Sequence, residues 1–267
     1  MPTFDAHAGP VPGTASDRGI AFGRGGPPRR AVLSSDGFSL IEMLTVVSIM
    51  GVLAALVFPG MSTARQRASS LRCAQNLRQI GMGMRLYADS DAAGLLPGSA
   101  APGRPPIGLN PWPTWIYTLT NQIGGIEKLR ICPSDTLRAL LRTNFGCSYV
   151  LNEYTAADAL RSPSPVTGPD GSTVLTVSPI RRLDSIQNPS GTILVFEASR
   201  LSQQIGDLQT HPDAWFFGWN YVLADIDPYR HGKGANYLFA DNHVAQIPAS
   251  DLKKRIESGD NFAVPPP

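Results

Sequence analysis

Cysteine is scarce in this chain: three in 267 residues, at Cys73, Cys132 and Cys147. That number excludes a dense disulfide framework and leaves room for one intrachain bridge at most. An excess of charge of one sign is also missing. With 23 Lys and Arg against 21 Asp and Glu, composition implies no polyanionic partner. No internal repeat is found. Nor is there a Gly-x-Ser-x-Gly elbow, a Walker loop, a GxGxxG in a strand-to-helix context, a CxxC, an HExxH or an EF-hand loop. These absences argue against an enzyme. Charge itself nearly vanishes over one stretch: between Phe38 and Pro59 the only ionisable side chain is Glu42.

That stretch, "GFSLIEMLTVVSIMGVLAALVFPG", follows a segment of different character. Residues 1–37 are rich in Gly, Pro, Ala and Arg with little apolar periodicity. Such a segment cannot bury enough surface to offset its ordering entropy, and reads as unstructured and as a processing segment. Phe38–Phe58 holds one charge in 21 residues, and about 20 apolar residues cross a bilayer as a helix. A signal-peptide core is shorter, roughly 7–15 residues. Within a span, Glu42 costs about 2.5–3.5 kcal/mol on insertion scales, so its presence needs a reason. Arg24, Arg29 and Arg30 precede the span while Arg65, Arg67, Arg72 and Arg78 follow it. Flanking positive charge therefore does not orient it.

Beyond Pro59, Met61, Ala64, Ala68, Leu71, Ala74, Leu77, Ile80, Met84 and Tyr87 recur at three- and four-residue steps, an amphipathic helical stripe. The opposite face carries Arg65, Arg67, Arg72, Arg78 and Arg85. Without interleaved aromatics this is a solvated or headgroup-facing surface, and no nucleic acid is expected. A proline kinks a helix without necessarily ending it, so one helix is predicted from Phe38 to about Ala88. Gly94 and Pro97 stop it. Residues 98–125 read as loop with a short helix near Trp115–Gln122, and Ser162–Val174 as a surface loop. Strands are predicted at Cys147–Leu151, Thr173–Val177, Thr192–Glu197, Asn236–Ala240 and Val244–Ile247. A helix over Ser250–Glu257 follows, with Ser250 as its N-cap. With few connecting helices, the expected fold class is α+β: one long N-terminal helix packed on an antiparallel β-sheet.

The Gly37–Phe38 junction, Glu42 four residues on, the uncharged span and Pro59 together resemble the cleavage and methylation motif of type IV pilins and type II secretion pseudopilins. The resemblance covers about 25 residues of the chain. It implies a pilin-like fold whose helix is transmembrane in its first half. It also implies cutting by a prepilin peptidase between Gly37 and Phe38, N-methylation of Phe38, and assembly through Glu42 and Pro59. Cleavage would free an α-amine on Phe38. Glu42 of one subunit would then face the amine of its neighbour, and the two charges would neutralise each other. "RCAQNLRQIGMGMRLYADSDAAGLLP", "LRICPSD", "GCSYVLNEY" and "RHGKGANYLFADNHVAQIP" resemble landmarks of large pseudopilin-like proteins ending in a prepilin-type processing-associated H-X9-DG domain. His231 and Asp241 supply the His and the Asp, with Asn242 in place of the Gly.

From the resemblance the domains are 1–37 leader, 38–58 transmembrane and polymerisation helix, 59–97 soluble half of the helix, and 98–267 periplasmic domain. The N-terminus would be cytoplasmic at the inner membrane. Partners would be the peptidase, other pilin or pseudopilin subunits in homo- and hetero-polymers, and the secretion assembly platform. The expected function is a structural subunit of a pseudopilus. The alternatives are a surface type IV pilin in adhesion or DNA uptake, and a membrane-anchored periplasmic binding protein that does not polymerise. A periplasmic hydrolase using His231 and Asp241 is the weaker enzymatic reading.

No cofactor is expected. Relatives in secretion fibres bind calcium, and His231, Asp241 and His243, with Asp135 or Glu197, form the metal set to consider. Two histidines suit zinc better than calcium. The plainer reading of His231–Asp241 is a β-hairpin whose turn residues are set by geometry. The oxidising periplasm permits a Cys132–Cys147 bridge. Cys73 is then the odd cysteine, packed as a small hydrophobe or able to pair instead.

Overall fold

The computed structural model describes residues 37–98, 115–156, 164–167, 173–177 and 179–267. The leader segment before Gly37, and most of the loop expected between 98 and 114, lie outside the described residues. The chain divides into two units, Met1–Gly51 and Val52–Pro267.

In the first unit the helix α1 (Leu40–Ser90) begins. Its start is a capping box. The Ser39 backbone N–H donates to Glu42 Oε2 at 2.8 Å, and the Ser39 hydroxyl accepts from the Ile41 N–H at 3.4 Å. Thr45 and Ser48 return their hydroxyls to the carbonyls of Glu42 and Leu44, so neither asks for a partner outside the helix. Leu40, Ile41, Leu44, Val47, Ile49 and Met50 are all exposed. Among the described residues no single helix is long and apolar enough to cross a membrane. Leu40–Leu56 and Met61–Ser90 reach that length and apolarity only when taken together. Pro59 falls within the span of α1, at a side chain outside those described.

In the second unit the remainder of α1 lies on a four-stranded antiparallel sheet. The strands are β1 (Tyr149–Leu151), β4 (Ile193–Glu197), β5 (Gly234–Phe239) and β6 (Val244–Pro248), in the order β1-β4-β5-β6. The α+β class and the long helix on an antiparallel sheet agree with the sequence expectation. A separate pair joins β2 (Ser164–Thr167) to β3 (Thr173–Val177); β3 is the expected strand, whereas β2 lies where the sequence suggests a loop over 162–174.

Successive strand residues face opposite sides, which sorts the core into two layers. Phe196 packs edge-on against Trp215 and Tyr237, with ring centroids 5.5 and 5.9 Å away, and Phe262 closes on Trp215 at 5.0 Å. The short helices α2 (Ile126–Leu129), α3 (Arg138–Thr143), α4 (Arg200–Ile205), α5 (Pro212–Trp215), α6 (Trp219–Asp225) and α7 (Ala249–Glu257) complete this unit. Glu197, the neighbour of Phe196, contacts α1 instead, through Cys73. Asn236 likewise reaches α1, donating to the Ser70 carbonyl at 3.1 Å. Covered on both faces, β1, β4 and β5 are buried throughout, whereas the edge strand β6 is only partly buried.

The buried stripe of α1 is Cys73, Leu77, Ile80, Met84 and Ala88. The predicted stripe therefore holds at Leu77, Ile80 and Met84. Leu71 is exposed, and Met61, Ala64 and Ala68 also stand outside the core. The sheet reaches only the later turns. At the top of the contact Gly81 lets the β5–β6 turn approach: a Cβ there would lie 2.1 Å from Asn242 Oδ1. Helix α7 starts one residue earlier than expected, with Pro248 and not Ser250 at the N-cap; the Ser250 hydroxyl bonds Asp251. The expected helix near Trp115–Gln122 is a single 3-10 turn, Trp115–Leu119, with Trp115, Ile116 and Leu119 buried.

Candidate functional site

Two regions carry unusual chemistry. The first is the start of α1. Gly37 and Phe38 precede the helix in non-helical backbone, and the Phe38 side chain is exposed. Glu42 sits at the third helical position, where a carboxylate satisfies an otherwise orphaned N–H and faces the positive end of the helix dipole.

The second region is a buried polar cluster between α1 and the sheet. Two loop segments build its floor. The Cys132 N–H donates to Ser148 Oγ at 2.9 Å, and the Ser148 hydroxyl donates to Asp135 Oδ2 at 2.7 Å. Asp135 also receives the amide of Gln203 at 2.6 Å and an ion pair from Arg230 Nη1 at 2.6 Å. The Cys-Pro-Ser-Asp turn and the Ser148–Tyr149 step are thus parts of one hydrogen-bonded unit. Asn152, further along, clamps the C-terminal segment by donating to the carbonyls of Ile193 and Ala263.

On that floor four ligand-type side chains meet. Cys73 comes from α1, Cys132 from the turn, Glu197 from the end of β4 and His231 from the loop before β5. Their Sγ, Sγ, Oε1 and Nε2 atoms all lie within 4.8 Å of one another, and all four residues are buried. Cys73 Sγ is 2.7 Å from Glu197 Oε1, His231 Nε2 is 2.9 Å from the same oxygen, and Cys132 Sγ is 3.7 Å from His231 Nε2. The register of β1 on β4 sets Tyr149 opposite Glu197, and the Tyr149 hydroxyl lies 3.3 Å from Cys73 Sγ. The backs of the ligands are held too. Ser134 Oγ is 3.2 Å from His231 Nδ1, and the Asn236 N–H donates to Glu197 Oε2 at 3.1 Å.

Burial strains the charges here. It is the main cause that pushes the Cys73 thiol well above its ordinary value, and the nearby Glu197 carboxylate acts in the same direction. Contact with Cys73 lowers Cys132, aided by the bond to His231 and opposed by burial. Burial disfavours the His231 cation, but its bonds to Cys132 and Glu197 outweigh this and raise it to about 9. Three acidic groups and one base therefore share a dry pocket.

Asp241 and His243 are not in it. Both sit in the exposed β5–β6 turn, where the Asp241 carboxylate accepts from the His243 N–H at 3.0 Å and lies 2.5 Å from His243 Nδ1. Burial works against the Asp241 anion, yet these His243 contacts hold its carboxyl below the usual range. His231, Asp241 and His243 thus do not converge. Asp241 and His243 match the hairpin-turn reading, while His231 joins Glu197 in the cluster. Cys132 groups with Cys73 and not with Cys147; all three thiols are free. Cys147 is buried apart, with burial pushing it to about 12 and its sulfur accepting from the Tyr149 N–H. Sequence reasoning did not bring Cys73, Tyr149 and Ser134 into a site. The available signal was Cys73 standing four residues before Leu77 on the buried stripe.

Residues 34–58 match the family profile described as Prokaryotic N-terminal methylation motif. No curated protein and no solved structure gives a significant match to the chain. The motif is of the type IV pilin-like prepilin kind, which points to a pilin- or pseudopilin-like subunit with a membrane-anchored N-terminal helix and an extracytoplasmic domain.

Proposed function

We propose that this chain is a structural subunit of a pseudopilus or pilus-like fibre. In this reading a prepilin peptidase cuts it between Gly37 and Phe38 and methylates Phe38. The helix from Phe38 then tethers it to the inner membrane, and later packs in the fibre core. The observation that carries the reading is the methylation motif over residues 34–58 with its single charge at Glu42. Exposed apolar side chains from Leu40 to Leu56 fit either environment, since both bilayer and fibre core would cover them. The body that follows the span, with its C-terminal His231–Asp241 segment, would face the periplasm. Its role is mechanical, extending a fibre that pushes or scaffolds a secreted substrate.

The test is the N-terminus of the mature protein after co-expression with a prepilin peptidase. A chain starting at N-methylated Phe38 supports the reading, and an uncut Met1 overturns it. Export of a reporter enzyme, against the appearance of surface pili, then separates the secretion fibre from a type IV pilin.

A further inference from the structure

The geometry points to a structural zinc site formed by Cys73, Cys132, Glu197 and His231, pinning the long helix to the sheet. This inference is independent of the fibre reading above.

Four ligands are brought from positions 73, 132, 197 and 231, on four separate segments, to one point. A tetrahedral zinc with Zn–S about 2.3 Å and Zn–N or Zn–O about 2.0 Å keeps its ligand atoms roughly 3.3–3.8 Å apart. The Cys132–His231 separation of 3.7 Å already matches. The Cys73–Glu197 and His231–Glu197 separations, 2.7 and 2.9 Å, are shorter than a tetrahedral zinc requires by about 0.8 and 0.4 Å, shifts that side-chain rotation supplies. The donor set, two sulfurs, one imidazole and one carboxylate, suits zinc and is foreign to calcium, which takes oxygen ligands.

The outer contacts are those a ligating set requires. A histidine that binds through Nε2 is normally oriented by a bond at its other nitrogen, and Ser134 Oγ stands 3.2 Å from His231 Nδ1. The second oxygen of Glu197 is occupied by the Asn236 N–H, leaving Oε1 for the metal. The His231 side chain is itself fully buried, beside a groove lined by Gln66, Ser70, Gly232 and Gln246, so the metal would be taken up as the chain folds around it. As zinc binds, the two sulfurs coordinate as thiolates and their protons leave to solvent, together with any proton on His231. Two thiolates, a carboxylate and Zn²⁺ leave one net negative charge, with the guanidinium of Arg230 nearby on Asp135.

The test uses the full chain purified in a mild detergent under reducing conditions. Metal analysis and titration with Co²⁺, a spectroscopic stand-in for zinc, provide the readouts. About one zinc per chain is expected, with a thiolate-to-cobalt charge-transfer band in the Co²⁺ form that zinc abolishes. Cys73→Ser and Cys132→Ser should lose that band and Cys147→Ser should keep it, with circular dichroism checking that each variant is folded. If the serine variants do not fold, the titration of the unmodified chain still decides. Two results overturn the site: a folded chain that gives no charge-transfer band and holds under about a tenth of an equivalent of metal, or a native Cys73–Cys132 disulfide found by peptide mapping of a parallel preparation made without reductant.

Discussion

His231 and Asp241 stand at opposite ends of strand β5, one buried against Glu197 and the other exposed beside His243. Six residues of strand separate their loops, about 20 Å at 3.3 Å per residue. The nine-residue spacing between them therefore measures out a strand and its two turns. It does not bring two groups to one site, and the two residues should respond very differently to substitution.

Replacing His231 by Ala leaves the Glu197 carboxylate buried with one partner fewer. Breaking a buried ion pair from one side costs about 3–5 kcal/mol, so His231→Ala should lose stability on that scale. The Asp241 pair is more than a third exposed on both sides, and exposed pairs contribute about 0–1 kcal/mol. Asp241→Ala should stay near that range. Urea unfolding of the full chain followed by tryptophan fluorescence, with Trp115 and Trp215 as buried reporters, checks both. Equal losses would mean that the two residues share one site after all.

The turn makes a second, more local prediction. Asn242 has φ 70°, and its Oδ1 is buried with no hydrogen-bond partner. Glycine adopts this backbone without strain, so Asn242→Gly should be neutral or stabilising by up to about 1 kcal/mol. Gly81→Ala alone should destabilise by about 1–3 kcal/mol through overpacking, although alanine is the better helix former. A methyl at 81 would meet Asn242 Oδ1 at 2.1 Å and Leu238 Cδ1 at 2.9 Å. In the double variant part of the Gly81→Ala cost should vanish, giving a coupling outside the range of additive sites. Simple additivity in a urea double-mutant cycle would refute the contact.

How far the sequence reading reached has a physical basis. The long helix and four of the five predicted strands are seen in the main sheet because periodicity reports burial within one element. Thr173–Val177 is a strand too, but in the separate hairpin with Ser164–Thr167. There proline and glycine mask a pairing that only the register reveals. The exposed early turns, with Leu71 uncovered, carry the same apolar rhythm as the buried ones, so periodicity alone cannot say where the sheet ends. The cluster of Cys73, Cys132, Glu197 and His231 was least legible. Its members are at least 34 positions apart, from 197 to 231, and no local spacing encodes their meeting. The sequence offers Glu197 beside His231 as a ligand, but a single cysteine on the long helix, Cys73, reads like any small core residue.

Solution pH should act on His211. Its Nδ1 is 3.0 Å from Asp225 Oδ1 and its Nε2 is 3.4 Å from Asp207. The bond to Asp225 is the main cause that raises its pKa above 6.5, with burial opposing and Asp207 and Glu153 adding to the rise. A group raised on folding stabilises fully below its unfolded value of 6.5, and that contribution fades as pH climbs through the higher folded value. The difference in Tm between the unmodified chain and His211→Gln should thus be largest in mild acid and shrink toward alkaline pH. Asp225 keeps its bonds from the Trp215 indole and the His211 backbone in the variant, so the fold persists for the comparison. A difference that grows with pH would contradict the assignment.

Glu42 has two separable duties, and substitution can divide them. Its Oε2 accepts from the Ser39 N–H and closes the capping box, a task that glutamine performs as well. The proposed pairing with the Phe38 α-amine of a neighbouring subunit needs the negative charge. Glu42→Gln should therefore keep the helix start and the cut at Gly37, yet fail to assemble, as Glu42→Ala should. A buried amine left without its partner costs about 3–5 kcal/mol per subunit contact, which is roughly a hundredfold to several thousandfold in the association constant. N-terminal sequencing reads the cut, and fibre yield by electron microscopy reads assembly. If the glutamine variant restores fibres while the alanine variant does not, capping of α1 is the duty that assembly requires and the charge pair is ruled out. Equal loss in both, with cleavage intact, places the requirement on the charge.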